Sequence, residues 1–326
     1  MSAHAAGART VLVVGDANTD LVLTGDVVPR FGQREQLLDA ASVTIGGSAS
    51  ITAHGLARLG RPVRLVAALG DDGFGRRVAA DLASAGVDIT SLRWRPDVPT
   101  GLSVVLSRPD DRAILTLPGA IPTLTVDEVM EAVRDATPDG AGVAHVHVAS
   151  LFLQPRLAEG LRALLAELRD HRLTTSLDTG DDPAQEWRRV RDLLPLVDVF
   201  LPNRAEVVAL AGLAGVADAQ AAARSLAGTG ALVVVKDGAA GAFAATPGGE
   251  LVVEPASVVT AIDTTGAGDT FDAAFLDSWL DERRLPECLS RAVRAGALAV
   301  QAVGGVAGQP LASDLNETEP KDAVRR

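Results

Sequence analysis

Thr10-Val11-Leu12-Val13-Val14-Gly15 is an unbroken apolar run that stops at a glycine. A strand with one wet face alternates apolar and polar residues, whereas a strand covered on both faces reads like this one. Val63–Leu69, Val143–Ala149, Leu173–Leu177, Val197–Phe200 and Ala231–Val235 repeat the pattern. Helical periods lie between them. Leu157, Leu161, Leu164, Leu165 and Leu168 form one stripe at helical spacing. Thr125-Val126-Asp127-Glu128 is a capping box that opens another helix. Such alternation predicts an α/β fold, a mostly parallel sheet with helices on both faces.

Two stretches interrupt it. Residues 21–45 carry short apolar pieces broken by Gly25, Pro29 and Gly32. Leu102–Ser107 and Arg112–Leu117 are β-like runs around the turn signal Pro109-Asp110-Asp111. Together, segments of about 21–45 and 95–118 are expected to form a small antiparallel flap, or lid, inserted into one domain spanning 1–312. Inserted flaps of this kind close over ligands. Residues 313–326 are expected to be a polar tail.

The chain has 326 residues, 47% of them hydrophobic, enough for a large core. Thirty Lys+Arg against 42 Asp+Glu leave a net charge of −12, which argues against nucleic-acid or anionic-membrane partners. No window resembles a membrane span or a secretory signal. A single cysteine, Cys288, cannot form an internal disulfide, and a cytoplasmic location is expected. Lys236 and Lys321 are the only lysines, so a polyanionic ligand must rely on backbone amides, a metal or arginine.

The segment richest in chemistry is Asp263-Thr264-Thr265-Gly266-Ala267-Gly268-Asp269-Thr270-Phe271, followed by a stripe of Phe271, Phe275, Leu276, Trp279 and Leu280. Glycines just before a helix expose its first N–H groups and admit a close ligand, and the helix dipole favours an anion there. Gly266, Ala267 and Gly268 would thus present N–H groups to a phosphoryl group. Asp269, in the first turn, is electrostatically out of place beside an anion unless it takes a proton from the attacking group. That is a general base for phosphoryl transfer. The competing structural account is a glycine-rich turn with Asp269 as a helix cap.

This segment resembles, residue for residue, the C-terminal signature of the ribokinase-like (PfkB) family of carbohydrate kinases. The resemblance extends over about Val11 to Gly305. Asn18 and Asp20 resemble the family's N-terminal substrate element, Gly46-Gly47-Ser48 its Gly-Gly turn, and Gly70-Asp71-Asp72-Gly73-Phe74-Gly75 its next motif. Asn203-Arg204-Ala205-Glu206 resembles NxxE, and Lys236-Asp237-Gly238 to Gly241 resembles KxGxxG. The resemblance implies a three-layer ribokinase-like fold and an ATP- and Mg²⁺-dependent kinase acting on a hydroxyl of a small sugar. It places the sugar at Asn18, Asp20, Gly46, Gly47 and Ser48, and the nucleotide at Asn203, Lys236, Gly238, Gly241, Thr264 and Gly304. Glu206 would hold Mg²⁺ through water, Asp263 a monovalent cation such as K⁺, and the lid a homodimer contact.

Two positions depart from the pattern. Ile51 stands where the family usually has a substrate-binding Asn, and Asp272 where an Asn or small residue is frequent; Asp272 is expected to face the metal or solvent. No Gly-Lys-Ser/Thr triplet exists, which excludes a Walker ATPase, and Gly15-Asp16-Ala17-Asn18 lacks the GxGxxG of a dinucleotide-binding enzyme. A nucleoside kinase and a non-catalytic sugar sensor of the same fold are the remaining alternatives. Aromatic residues make up 3% of the chain with no tyrosine, which favours a bare sugar over a nucleoside. His145 and His147 share one strand face without a third ligand in view, so packing is expected of them.

Overall fold

The structure is a computed structural model that describes residues 10–108, 112–136, 142–182, 187–212 and 218–316. The Pro109–Asp111 turn and the first nine residues lie outside the described residues. In chain order the strands are β1 (Thr10–Val14), β2 (Asn18–Gly25), β3 (Leu38–Gly46), β4 (Val63–Val66), β5 (Ala68–Gly70), β6 (Arg93–Arg95), β7 (Gly101–Ser107), β8 (Arg112–Leu117), β9 (Val143–Val148), β10 (Thr174–Leu177), β11 (Val199–Phe200), β12 (Leu232–Lys236), β13 (Ala242–Ala245) and β14 (Leu251–Glu254). The helices are α1 (Ser48–Arg58), α2 (Gly73–Ser84), α3 (Val126–Asp135), α4 (Pro155–Asp170), α5 (Arg188–Arg191), α6 (Arg204–Leu210), α7 (Ala219–Ala227), α8 (Ala267–Leu280) and α9 (Leu285–Ala299).

The opening run explains the architecture. Leu12 and Val14 of β1 join Val146, Val148, Val233 and Val235 in a core completed by α3, α4 and α7. Val11 and Val13 point the other way, onto Leu56 of α1 and Ala273 of α8. Successive side chains on opposite faces are both buried, so no polar position is left in the strand. The sheet runs β14-β13-β12-β11-β10-β9-β1-β4, parallel except for the β12-β13-β14 edge. Helices cover both faces, a three-layer α/β fold. Thr125 and Glu128 form the expected capping box of α3, and the leucine stripe is the buried face of α4. No helix among the described residues is long and apolar enough to cross a membrane.

The remaining strands differ from expectation in three respects. The run Val63–Leu69 splits at Ala67: β4 stays on β1, while β5 pairs with β6. The flap is a sheet ordered β3-β2-β7-β8. It is mixed rather than antiparallel, because two hairpins from distant parts of the chain meet side by side through the parallel pair β2–β7. Its first strand begins at Asn18, so Asn18 and Asp20 belong to the flap rather than to a turn after β1. Finally, Ala312–Leu315 form a 3₁₀ turn with Leu315 buried and its carbonyl accepting from Arg291. The part of the expected polar tail up to Asn316 is therefore packed on the domain, and the rest of it lies outside the described residues.

Candidate active site

Helix α8 starts at Gly266, whose φ of 71° lies in the left-handed region. A Cβ there would stand 2.5 Å from the Gly305 carbonyl oxygen, so glycine is required on both grounds. The loop before it is tied down by Asp263. Its Oδ1 accepts from Thr265 N (2.9 Å) and Thr265 Oγ1 (2.7 Å), and its Oδ2 from Gly304 N (2.9 Å). Burial opposes ionisation of Asp263, but these donors and Arg112 outweigh it and hold the carboxyl below its usual range. Asp263 thereby joins the glycine loop to the Gly304–Gly305 turn.

Asp269 sits in the first turn of α8. Burial pushes its carboxyl up to about 7, helped by the Asp178 carboxylate and opposed by Lys236 and a hydrogen bond from Ser48. Ser48 opens α1, and its neighbour Gly47 has a φ of 95°. A Cβ on Gly47 would stand 2.9 Å from Asn18 Oδ1, and one on Gly46 only 2.0 Å from Asp20 Oδ1. Three consecutive residues thus connect Asp20, Asn18 and Asp269. The Asn18 amide donates to Asp20 Oδ1 (2.8 Å) and to Ser103 Oγ (3.1 Å). Burial raises Asp20 to about 6, against the Asn18 and Ser103 hydrogen bonds. These groups form a compact polar cluster with both acceptors and donors.

Lys236 ends β12 beneath this helix. Its Nζ donates to Asp178 Oδ2 (2.8 Å) and to Asp272 Oδ2 (2.9 Å). Asp272 is fully buried, which corrects the expectation that it faces metal or solvent. Burial raises its pKa strongly, against the pull of Lys236, while the burial cost at Asp178 is outweighed by Lys236 and the pKa falls. Asp178 and Asp272 thus share the single buried ammonium of Lys236, and of the two Asp272 holds a proton more readily. Lys236 is held above its ordinary range although burial alone would lower it. A buried triad of this kind persists because each member is paired.

A cavity of about 380 Å³ opens beside it, lined by Lys236, Gly238, Gly241, Thr264, Ala267, Gly268 and apolar residues including Phe271, Val293 and Val300. Gly304 and Asn203 do not line it. Gly304 binds Asp263, and Asn203 caps α6 in a capping box with Glu206. Glu206 Oε2 accepts from Asn203 N (2.9 Å). Burial and then Asp178 push Glu206 up to about 7. His54 is held by Gln309 Oε1 (2.6 Å) and Ile51 is buried against Gly305. His145 and His147 are buried on Ser176 Oγ, each 2.7 Å away. Burial takes them to about 3 and about 4, so they are neutral core residues. No cluster of three or more metal-ligating side chains occurs among the described residues.

Four polar groups of the site escaped the sequence pattern. Asp16 accepts from Ala49 N (3.0 Å) and so caps α1, which glycine cannot do. Asp178 and Ser103 carry no motif signal. Arg112 hydrogen-bonds the Thr264 hydroxyl from the flap.

Known proteins share this chain's sequence pattern and fold. The profile described as pfkB family carbohydrate kinase matches residues 8–312. A ribokinase of Arabidopsis thaliana is 29% identical, covering 95% of this chain and 80% of that protein. An ATP-dependent ribose-1-phosphate kinase of Halopiger xanaduensis is 31% identical over 88% of this chain and 90% of its own. The structure of Arabidopsis thaliana ribokinase complexed with ribose and ATP superposes with a TM-score of 0.80 at 26% identity, covering 94% of this chain and 97% of that one. With the profile spanning nearly every described residue, the chain belongs to the pfkB family of carbohydrate kinases.

Proposed function

We propose that this kinase transfers the terminal phosphoryl group of ATP to a hydroxyl of a small sugar, with Asp269 as general base. One observation carries the reading: Asp269, next to the cavity-lining Gly268 in the first turn of a helix opened by glycines, accepts from Ser48, whose neighbours Gly46 and Gly47 lie against Asp20 and Asn18. Asn18 and Asp20 hold sugar hydroxyls, since a carboxylate accepts two hydrogen bonds. Gly46 and Gly47 let the acceptor approach the backbone. Asp269, with a pKa of about 7, withdraws the proton as the oxygen attacks. The N–H groups of Gly266, Ala267 and Gly268 take up the charge that develops on the transferred group. The apolar wall of Phe271, Val293 and Val300 receives the base of ATP, with Lys236, Gly238, Gly241 and Thr264 along its length.

Glu206, with Asp178 nearby, suits Mg²⁺ held through water. The crowded carboxylates that raise Glu206 are relieved by a cation, and Mg²⁺ binds few protein ligands besides phosphates. The ion would supply charge neutralisation to the phosphates. Asp263, whose carboxyl is held below its usual range and already ties Thr265 to Gly304, is the group that would face a monovalent cation such as K⁺.

The test is ADP release over pentoses, ketohexoses, sugar acids, sugar phosphates and nucleosides. Stimulation by a free sugar or sugar phosphate supports the reading. A nucleoside preference transfers it to the nucleoside-kinase alternative, and no stimulation by any compound leaves the sensor.

A further inference from the structure

A second cavity, of about 310 Å³, lies where the C-terminal end of α8 turns into α9. Four arginines line it, Arg283, Arg284, Arg291 and Arg294, against one carboxylate, Glu287. Glu287, Ser290, Arg291 and Arg294 fall at i, i+3, i+4 and i+7, so they form one stripe of α9. The opposite side of that helix, with Cys288, Leu289, Ala292 and Val293, fills the core. The 3₁₀ turn that carries Leu315 closes the cavity from the other side. Asp269 in the first turn of α8 and Asp281 at its C-cap are separated by about 18 Å at 1.5 Å per residue. The cavity is therefore distinct from the one beside Lys236.

Pairing inside the molecule does not account for so much positive charge in a chain of net charge −12. The acids that end α8 are engaged by Arg61, whose Nε donates to Asp277 Oδ1 (2.9 Å) and whose Nη2 donates to Asp281 Oδ1 (2.5 Å). Arg291, with its side chain 11% exposed, is fixed by Ser278 Oγ (2.9 Å) and the Leu315 carbonyl (3.1 Å), and it lies 3.8 Å from Asp277 Oδ2. Arg284 pairs with Glu287 in the open. Arg283 and Arg294 are exposed, and among the described residues neither side chain has a hydrogen bond or ion pair. Burial, and then the charge of Arg283, hold the Arg291 guanidinium below its ordinary range. An anion in the cavity relieves that repulsion.

We propose that this cavity is a second ligand site, for a small phosphate-bearing polyanion. A guanidinium is weakly hydrated and matches phosphate oxygens in a two-pronged geometry. Here one guanidinium is held in place at the wall and two stand unpaired at the rim, with the Ser290 hydroxyl as a neutral donor between them. The volume is at the lower end of the range of about 300–1,000 Å³ for small-molecule sites, which suits pyrophosphate or a sugar phosphate. The proposal does not rest on the ATP site.

The test is calorimetry with pyrophosphate, a pentose 5-phosphate and citrate, on the wild type, on the double variant Arg283→Glu with Arg294→Glu, and on Arg294→Lys. The wild type should bind one equivalent of a phosphate compound through this cavity. The double variant should weaken that equivalent about tenfold or more, and Arg294→Lys, which keeps the charge without the fork, about two- to threefold. Both arginines are exposed and unpaired among the described residues, so Tm and nucleotide affinity should match wild type. Tighter binding of the pentose phosphate identifies an ester as the ligand, and tighter binding of pyrophosphate an inorganic polyphosphate; either supports the proposal. Phosphate affinities unchanged in the double variant would place the anion elsewhere and overturn it. So would citrate binding as tightly as pyrophosphate, which would make the cavity a patch for any anion, and so would the absence of saturable binding at millimolar concentration. The readout needs neither nucleotide nor turnover, so failure of the kinase reading shows separately.

Discussion

At the scale of single residues, Asp269 holds the clearest conflict between stability and chemistry. Its carboxyl is held near 7, well above the ordinary range, so the folded state prefers it protonated. The sign for stability follows: ionising it costs stability progressively as pH rises from about 4 through about 7. The sign for activity is opposite, because a base must be ionised. Turnover should therefore climb along an acid limb centred near pH 7, read from kcat against pH with saturating substrates. Asp269→Asn should lower kcat about 10²- to 10⁴-fold, retain nucleotide affinity and raise Tm at pH 8. A variant with full turnover would remove the base assignment. Residues such as Asp269 and Asn18 were legible because they stand inside dense local patterns. Asp178 and Arg112 were not: each stands at a strand end among other polar residues with nothing to single it out, and its meaning comes from partners 58 and 152 positions away in the chain.

At the scale of elements, the site depends on two joints that local sequence reveals unequally. The Asn203–Glu206 box and the Thr125–Glu128 box obey short-range capping chemistry, and the second was readable as such from four consecutive residues. The β2–β7 pairing unites segments some 80 residues apart, and no local pattern specifies which edge meets which. The same blindness made Asp272 look as if it faced the metal or solvent, since only the arrival of β12 beneath α8 supplies its lysine. That joint predicts an ordering of stabilities. Lys236→Met leaves two buried carboxyl groups without their cation and should cost about 3–5 kcal/mol in urea unfolding. Asp272→Asn keeps a buried hydrogen-bonding group and leaves Asp178 to pair Lys236, and should cost much less. At the other joint, a Cβ on residue 46 would stand 2.0 Å from Asp20 Oδ1. Gly46→Ala should therefore displace the Asp20 carboxylate and raise the acceptor KM by about tenfold, or ~1.4 kcal/mol, with the ATP KM unchanged.

At the scale of the whole molecule, the proposed acceptor cluster sits on the flap sheet and the proposed nucleotide cavity on the main sheet with α8 and α9, so a flap that closes would serve both. The flap touches the nucleotide half through both of its edge strands. Thr44 of β3 lies against Gly304, where a Cβ would stand 3.2 Å from Thr44 Cγ2, and Arg112 of β8 bonds Thr264. A ligand that draws the flap down pre-forms the other ligand's site, which is positive coupling and must be reciprocal. A nucleotide analogue at 100 times its Kd contributes about 2.7 kcal/mol. With an unfolding entropy of about 2.1 cal/mol/K per residue over 326 residues, that is a rise of about 4 °C in Tm. Sugar and analogue together should exceed the sum of their separate shifts. In calorimetry each should tighten the other by the same factor, about fivefold or more. Arg112→Ala should shrink that factor toward one without abolishing sugar binding, because the Asn18–Asp20–Ser103 cluster is intact. Purely additive shifts in the wild type would mean that the flap carries the acceptor but transmits nothing.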